Sequence, residues 1–294
     1  MHLQPIDVVE TIDRDTFQEK YFKPRKPLII KGLAKEWPAY KKWTWEYFKE
    51  IVGEKEVPVY NNIKSDSYTP INKADGYMKF GEYLDMVAKG PVELRVFAFN
   101  IFSEAKQITK DFVYPAHLVS HFVKQFPLLF VGGSGSITHM HFDIDMPNLF
   151  HTQFLGKKRV LLFPNEEKYK LYRKPWEVLS LADFSHFNEG KINLEKFPAI
   201  AMANGYEVIL EHGDTLFMPT GFFHHMEYID SGFAMSLRIL DPSPLVVMRG
   251  VWNLFGMRLI DNLMKKALPK PWYKYKEKKV YKSANKELKN TIVP

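Results

Sequence analysis

The sequence predicts a mainly β domain with flanking helices, and three observations carry that expectation. Thr138-His139-Met140-His141-Phe142-Asp143-Ile144-Asp145 alternates metal-capable side chains with apolar ones, and strand residues at i and i+2 share a face. Further on, Pro219-Thr220-Gly221-Phe222-Phe223-His224-His225 reads as a second strand bearing imidazoles. Helical spacing is confined largely to the two ends of the chain, on either side of these strands.

The elements follow in order. Residues 1–91 read as a mixed α/β leader. Asp13 caps a helix whose apolar residues run to Phe22, and Pro27 to Gly32 is a short apolar run ended by glycine, a first strand. Trp37, Trp43, Trp45, Tyr47 and Phe48 supply apolar surface with polar tips and lead a helix to Val52-Gly53. Another helix covers Phe80 to Val87 and stops near Gly90-Pro91. The β domain spans 92–240 and opens with a strand from Val92 to Phe99. Gly132-Gly133-Ser134-Gly135-Ser136 lacks the Gly-Lys-Ser/Thr ending of a phosphate loop and leads into a strand, so it reads as an entry to the 138–145 stretch. Between Phe163-Pro164 and Met202 lies a long insert with little strand character, and long loops in compact domains are usually functional or disordered.

Past Asp241-Pro242 the pattern turns helical. In 241–267, Met248, Trp252, Phe255, Leu259 and Leu263 recur at spacings of three and four. Such a stripe must be buried, on its own barrel or on a second copy, and a homodimer is expected. Residues 268–294 form a basic tail. From Lys265 to the end, ten lysines stand against Glu277 and Glu287, whereas the other 264 residues carry 31 basic and 32 acidic side chains. Trp272, Tyr273, Tyr275 and Tyr281, interleaved with those lysines, would suit stacking on unpaired bases. The default expectation for such a run is a solvated, partly disordered end.

Bulk properties narrow the class. With 294 residues, 46% hydrophobic and 15% aromatic, the chain can bury a large core. No run of eighteen apolar residues appears, so no membrane span is expected, and Met1 to Asp7 lacks the pattern of a secretory signal. The absence of cysteine excludes disulfides and thiolate sites. These features together predict a cytoplasmic protein.

Two imidazoles and one carboxylate, His141, Asp143 and His224, would leave neighbouring coordination positions open, as non-haem Fe(II) oxygenases require. Zn2+ accepts the same donors, so the ligand set alone does not choose the metal. A second register competes. Gly133 followed after five residues by His139-x-His141, and Gly213, Pro219, Gly221 and His224, match older cupin patterns. There the ligands are His139, His141, Asp145 and His224.

The residues around the first register resemble the JmjC family of iron and 2-oxoglutarate dependent oxygenases, in its small hydroxylase branch. The resemblance rests on Thr138-x-x-His141-x-Asp143, Asn148, Gln153 to Arg159, Leu161 to Pro164, Gly205-Tyr206-Glu207, Gly213-Asp214 and Pro219 to His224, in the family's order. It implies a double-stranded β-helix, a jelly-roll or cupin-type barrel, buttressed by the leader and rimmed at its mouth by the insert. It also implies Fe(II) on His141, Asp143 and His224, with O2 and 2-oxoglutarate as cosubstrates. Lys158 and Thr138 match residues that take the distal carboxylate of 2-oxoglutarate, and Asn148 matches one near its metal-bound end. Lys157 or Arg159 would be the inward cation in a shifted register. Two residues depart from the pattern. Phe97 stands where the asparaginyl hydroxylase subgroup has a tyrosine hydroxyl. Arg238 stands where it has a neutral amide, and is expected to compensate in binding the cosubstrate, to bind substrate, or to pair with a core carboxylate. The implied reaction hydroxylates a protein side chain with release of succinate and CO2. An RNA (tRNA) hydroxylase using the basic tail, a cupin isomerase or dioxygenase without 2-oxoglutarate, and an inactive binding module are the alternatives.

Overall fold

A computed structural model describes residues 1–63, 73–185, 187 and 192–292. Parts of the predicted leader (64–72), insert (186, 188–191) and tail (293–294) therefore lie outside the described residues. Strands run over His2–Pro5 (β1), Asp7–Val9 (β2), Leu28–Ile30 (β3), Glu56–Asn61 (β4), Gly76–Lys79 (β5), Leu94–Phe99 (β6) and Leu128–Gly132 (β7). They continue with Ile137–His141 (β8), Asn148–Leu155 (β9), Lys158–Phe163 (β10), Asn204–Leu210 (β11), Thr215–Met218 (β12), Phe223–Tyr228 (β13) and Gly232–Ile239 (β14). Helices cover Arg14–Phe17 (α1), Ala39–Lys42 (α2), Trp45–Val52 (α3), Phe80–Lys89 (α4) and Ile101–Glu104 (α5). At the end come Pro244–Val251 (α6), Arg258–Ala267 (α7) and Pro269–Ile292 (α8), with a π-helical turn over Trp252–Met257 joining α6 to α7.

Two sheets make the cupin-like barrel. One has the order β1-β11-β10-β13-β8, the other β2-β3-β12-β9-β14-β7-β6-β4-β5. The leader contributes β1 to β5 directly to these sheets, with β1 parallel to β11 and β2 parallel to β3. Three apolar clusters follow from this layering. Val160, Leu162, Leu216 and Met226 belong to one cluster with Leu149. Phe17, Trp43, Phe48, Phe150 and Phe217 join the leader helices to the larger sheet, and Leu161, Phe163, Tyr172, Phe184 and Val280 join the insert and α8 to the smaller one. Strands covered on both faces lose the polar/apolar alternation, which is why β9 and β14 are buried almost throughout. The aromatic tips of the leader are satisfied: Asp111 accepts from Trp43 Nε1 at 3.0 Å and Tyr47 Oη at 2.7 Å.

The C-terminal region departs from expectation. The tail is not a loose end but a 24-residue helix, α8. Trp272, Lys276, Val280 and Ala284 recur every fourth residue and are all buried, so one face of α8 docks. A lysine inside that stripe is tolerated because carboxylates meet it. The apolar stripe of α6 and α7 is not covered by the barrel: Phe255 is 72% exposed, and Met248, Trp252, Leu259 and Leu263 are likewise exposed.

Candidate metal centre

The antiparallel pairing of β8 with β13 sets His141 opposite His224, and their ring centres are 4.2 Å apart. Asp143 follows β8 by two residues. Its Oδ1 lies 3.8 Å from His141 Nε2 and 4.0 Å from His224 Nε2. Among the described residues these three form the cluster able to hold a metal, one donor atom from each falling within 4.8 Å of the others. The donors are also prepared for it. His141 Nδ1 donates to the His139 carbonyl at 2.8 Å and His224 Nδ1 to the Phe222 carbonyl at 3.3 Å. A carbonyl only accepts, so Nδ1 carries the hydrogen and Nε2 keeps its lone pair for an ion. Burial pushes the His224 pKa down to about 3, with His141 adding to the effect, and burial likewise lowers that of His141. Both imidazoles are therefore neutral, as ligands must be. Burial alone would raise Asp143, but the Arg238 guanidinium, by its charge and its hydrogen bond, holds it below its ordinary value. The set fits one ion with three protein donors.

The other sequence candidates divide. Of the three expectations for Arg238, pairing with carboxylates is the one seen, at the metal end: its guanidinium reaches Asp143 Oδ2 at 3.0 Å and Asp145 Oδ1 at 2.6 Å. That leaves Asp143 Oδ1 as its free donor. Asp145 is thereby committed, and the register using His139 and Asp145 gathers no such cluster among the described residues. Asn148 is directed elsewhere than expected. Its Oδ1 accepts from Thr220 N at 2.9 Å and its Nδ2 donates to Asp241 at 3.2 Å, so it braces the turn before β13. Lys157 and Arg159 point away, toward Glu211 and toward Glu207 and Glu227. His225 is buried with its ring 6.3 Å from Phe184, among residues of the insert.

A cavity of about 660 Å³ opens beside the trio, walled by Thr138, Phe97, His151 and Ser236 among others. Lys158 is 1% exposed and stands directly behind His151. Its Nζ is 3.2 Å from His151 Nε2 and 4.3 Å from the centre of the Tyr228 ring, its cross-strand partner on β13. An ammonium only donates, so His151 Nε2 accepts and His151 Nδ1 donates to Ser236 Oγ at 2.8 Å. Burial brings the Lys158 pKa down to about 7 and holds His151 well below its ordinary value. No carboxylate pairs with Lys158 among the described residues. His151 escaped sequence reasoning; its one signal is the polar run His151-Thr152-Gln153 inside a strand otherwise apolar.

At the mouth the wall changes to the insert and α7. Trp176, Glu177, Val178, Asp261 and Lys265 line it. Glu177 is met by Lys276, by Lys174 at 2.5 Å and by Lys265 at 3.3 Å. Asp261 takes Lys265, Lys276 and Trp272 Nε1, each at 2.8 Å. Trp176 is held at φ 64° beside this cluster, a left-handed conformation that a bulky residue adopts only where its surroundings fix it.

Comparison with known proteins agrees with this architecture. Residues 14–241 match the model of the cupin-like domain family. Lysine-specific demethylase 8 of Xenopus tropicalis is 24% identical over 225 residues, which cover 75% of this chain and 49% of the relative. tRNA wybutosine-synthesizing protein 5 of Homo sapiens is 27% identical over 262 residues, covering 80% and 77%. Jumonji C domain-containing protein 5 of Drosophila melanogaster is 23% identical over 241 residues, covering 76% and 56%. The chain thus spans about half the length of the demethylase relative. With a barrel of this topology and a family match over most of its length, the chain belongs to the cupin-like JmjC domain family.

Proposed function

We propose that this chain is an Fe(II)- and 2-oxoglutarate-dependent dioxygenase that hydroxylates a protein side chain, with succinate and CO2 as coproducts. The observation that carries the oxygenase reading is the trio His141, Asp143 and His224, each with its second heteroatom already engaged. Bound iron would supply the oxidising chemistry with O2 and 2-oxoglutarate. The protein's part is to orient: Arg238 fixes the face of Asp143, the two backbone carbonyls fix the imidazole tautomers, and Thr138, His151 and Lys158 provide polar groups for the distal part of a dicarboxylate. The apolar residues Phe97, Leu149 and Met226 narrow the same cavity and limit the water within it. The choice of a protein substrate rests on relatives named as lysine-specific demethylases.

The test is anaerobic 2-oxoglutarate binding to the Fe(II)-loaded protein, followed by its metal-to-ligand absorption band. The band is expected in wild type and His139→Ala and absent in Asp143→Ala. A band that survives Asp143→Ala but not His139→Ala would sink this reading in favour of a cupin using the other register.

One observation favours RNA as a second reading. Lys270, Lys274, Lys278, Lys282 and Lys286 are exposed along α8 at intervals of four, a ridge of about 24 Å on a helix rising 1.5 Å per residue. A relative is named for tRNA wybutosine synthesis. Reversing Lys274, Lys278 and Lys282 to Glu should abolish a salt-sensitive RNA affinity while leaving the fold intact. Removing residues 268–294 is the poorer experiment, because it strips Trp272 and Lys276 from Glu177 and Asp261. The exposed stripe of α6 and α7 supports a homodimer, and Phe255→Glu should convert dimer to monomer in sedimentation; an unchanged mass would dismiss that interface.

A further inference from the structure

Going round helix α7, the side chains fall into three strips. Met257, Asp261 and Lys265, at i, i+4 and i+8, are buried and fixed: the Met257 sulfur takes Arg173 Nη2 at 3.5 Å, and Asp261 takes Lys265, Lys276 and Trp272. Leu259 and Leu263, on a second strip, are apolar and exposed. Between the two run Arg258 and Asn262, which line the cavity and are nonetheless exposed to solvent. They are therefore part of its rim. Neither makes a hydrogen bond or an ion pair among the described residues. The rim also carries a surplus of positive charge. Its exposed charged side chains among the described residues are Arg258 and Lys73 against Asp75, and one oxygen of Asp75 is already occupied by Asn61 N at 2.8 Å. Behind them, Lys174, Lys265 and Lys276 face only Glu177 and Asp261, which leaves a further positive charge in excess.

We propose that Arg258 and Asn262 select an extended, acidic segment of the polypeptide substrate, the guanidinium taking a carboxylate side chain and the carboxamide taking a peptide group of the segment's backbone. Each donor suits its partner. A guanidinium fork matches a carboxylate at two points, and a carboxamide offers an N–H and a C=O as a peptide group does. The spacing suits them as well. Residues four apart on a helix have Cβ atoms about 5–6 Å apart, and alternate residues of an extended chain repeat at about 6.6 Å. The contacts of Asp261 and Lys265 pin the same turns of α7, so the pair is positioned before the segment arrives and little ordering has to accompany binding. A basic segment would face the surplus charge of the rim and leave Arg258 without a partner, which opposes it as strongly as the acidic one is favoured.

The proposal rests on the reading of the chain as an oxygenase of polypeptides, and the experiment separates the two. Random peptide pools enriched in Asp and Glu, or in Lys and Arg, are titrated without oxygen against protein loaded with Fe(II) and 2-oxoglutarate, with 2-oxoglutarate affinity and melting temperature measured alongside. Wild type should bind the acidic pool about tenfold more tightly than the basic one, the weight of one charge-assisted hydrogen bond, and added salt should narrow the difference. Arg258→Glu should reverse the order, and Arg258→Lys, which keeps the charge without the fork, should retain it at reduced strength. Lys282→Glu, the same change of charge outside the cavity wall, should leave it as in wild type. Equal affinity for the two pools, a preference that survives Arg258→Glu, or one lost equally in Lys282→Glu overturns the role of Arg258, and normal 2-oxoglutarate binding then leaves the oxygenase reading standing. A single-stranded RNA oligonucleotide that displaces the acidic pool from wild type and fails to bind Arg258→Glu overturns the polypeptide class. A wild type that binds no 2-oxoglutarate removes both.

Discussion

Lys158 and Lys276 are each 1% exposed, but their surroundings are opposite. Lys276, on α8, meets Glu177 and Asp261; Lys265 shares both carboxylates and Lys174 shares Glu177. Lys158, on β10, meets an imidazole and an aromatic ring and, among the described residues, no carboxylate. Burying a charge is costly unless it is paired, so the first arrangement completes itself, while the second has no such partner among the described residues. Burial by itself does not mark a binding site.

The largest effect expected from this contrast is structural. Glu177→Ala leaves buried Lys265 and Lys276 with Asp261 alone and takes from buried Lys174 its carboxylate, and breaking such a cluster typically costs about 3–5 kcal/mol. Melting temperature should fall by roughly 10 °C and the mouth residues Trp176 and Val178 should lose protection in hydrogen exchange. A variant that melts like wild type would show that the cluster contributes nothing net. Next comes Lys158→Met. It removes an unpaired charge, so the protein should melt no lower than wild type, while 2-oxoglutarate affinity falls at least tenfold, about the weight of one charge-assisted hydrogen bond. A marked loss of stability would mean that Lys158 is paired by something inside the fold, and the contrast would collapse.

The smallest effect is in pH dependence, and the two regions should differ in its window. Burial opposes the charge of Glu177, but the three lysines outweigh it and lower its folded pKa to about 2, from an ordinary 4.5. Its stabilisation is complete above pH 4.5 and is lost as pH falls toward 2. Lys158 has a folded pKa near 7 against an ordinary 10.5, so it costs stability most below pH 7 and the cost fades as pH rises to 10.5. Subtracting the stability of Glu177→Gln from that of wild type across pH should expose the acid window, and Lys158→Met the alkaline one. Slopes in the same window for both variants would contradict the assignment.

The sequence revealed these regions unequally. The alternation from Thr138 to Asp145 is legible because a strand places every second residue on one face, and the Gly-Pro punctuation before His224 is legible as a turn. The long-range partners are not. Arg238 joins Asp143 only because β14 and the loop after β8 converge, and nothing local to either residue encodes that distance. Asn148 falls at the start of β9, where its amide oxygen accepts from Thr220 in the turn before β13 and its nitrogen donates to Asp241 beyond β14. Helix α8 was hidden by composition: its buried stripe contains Lys276, so the run reads as uniformly basic, although Trp272, Val280 and Ala284 keep the period. Glu177 lies in an insert without periodicity, and its weight appears only when three lysines from separate segments meet it.

The docking of α8 has one more consequence. Glu177 holds that helix through Lys276, and its chain neighbours Trp176 and Val178 are part of the cavity wall. The outer helix is therefore joined by one ion pair to residues that line the cavity. Coupling between two sites, where binding at one changes affinity at the other, acts by the same factor in both directions. A partner that grips the lysine ridge would in this way act as a lever on the mouth, and the molecule would report on its outer surface whether its interior is filled.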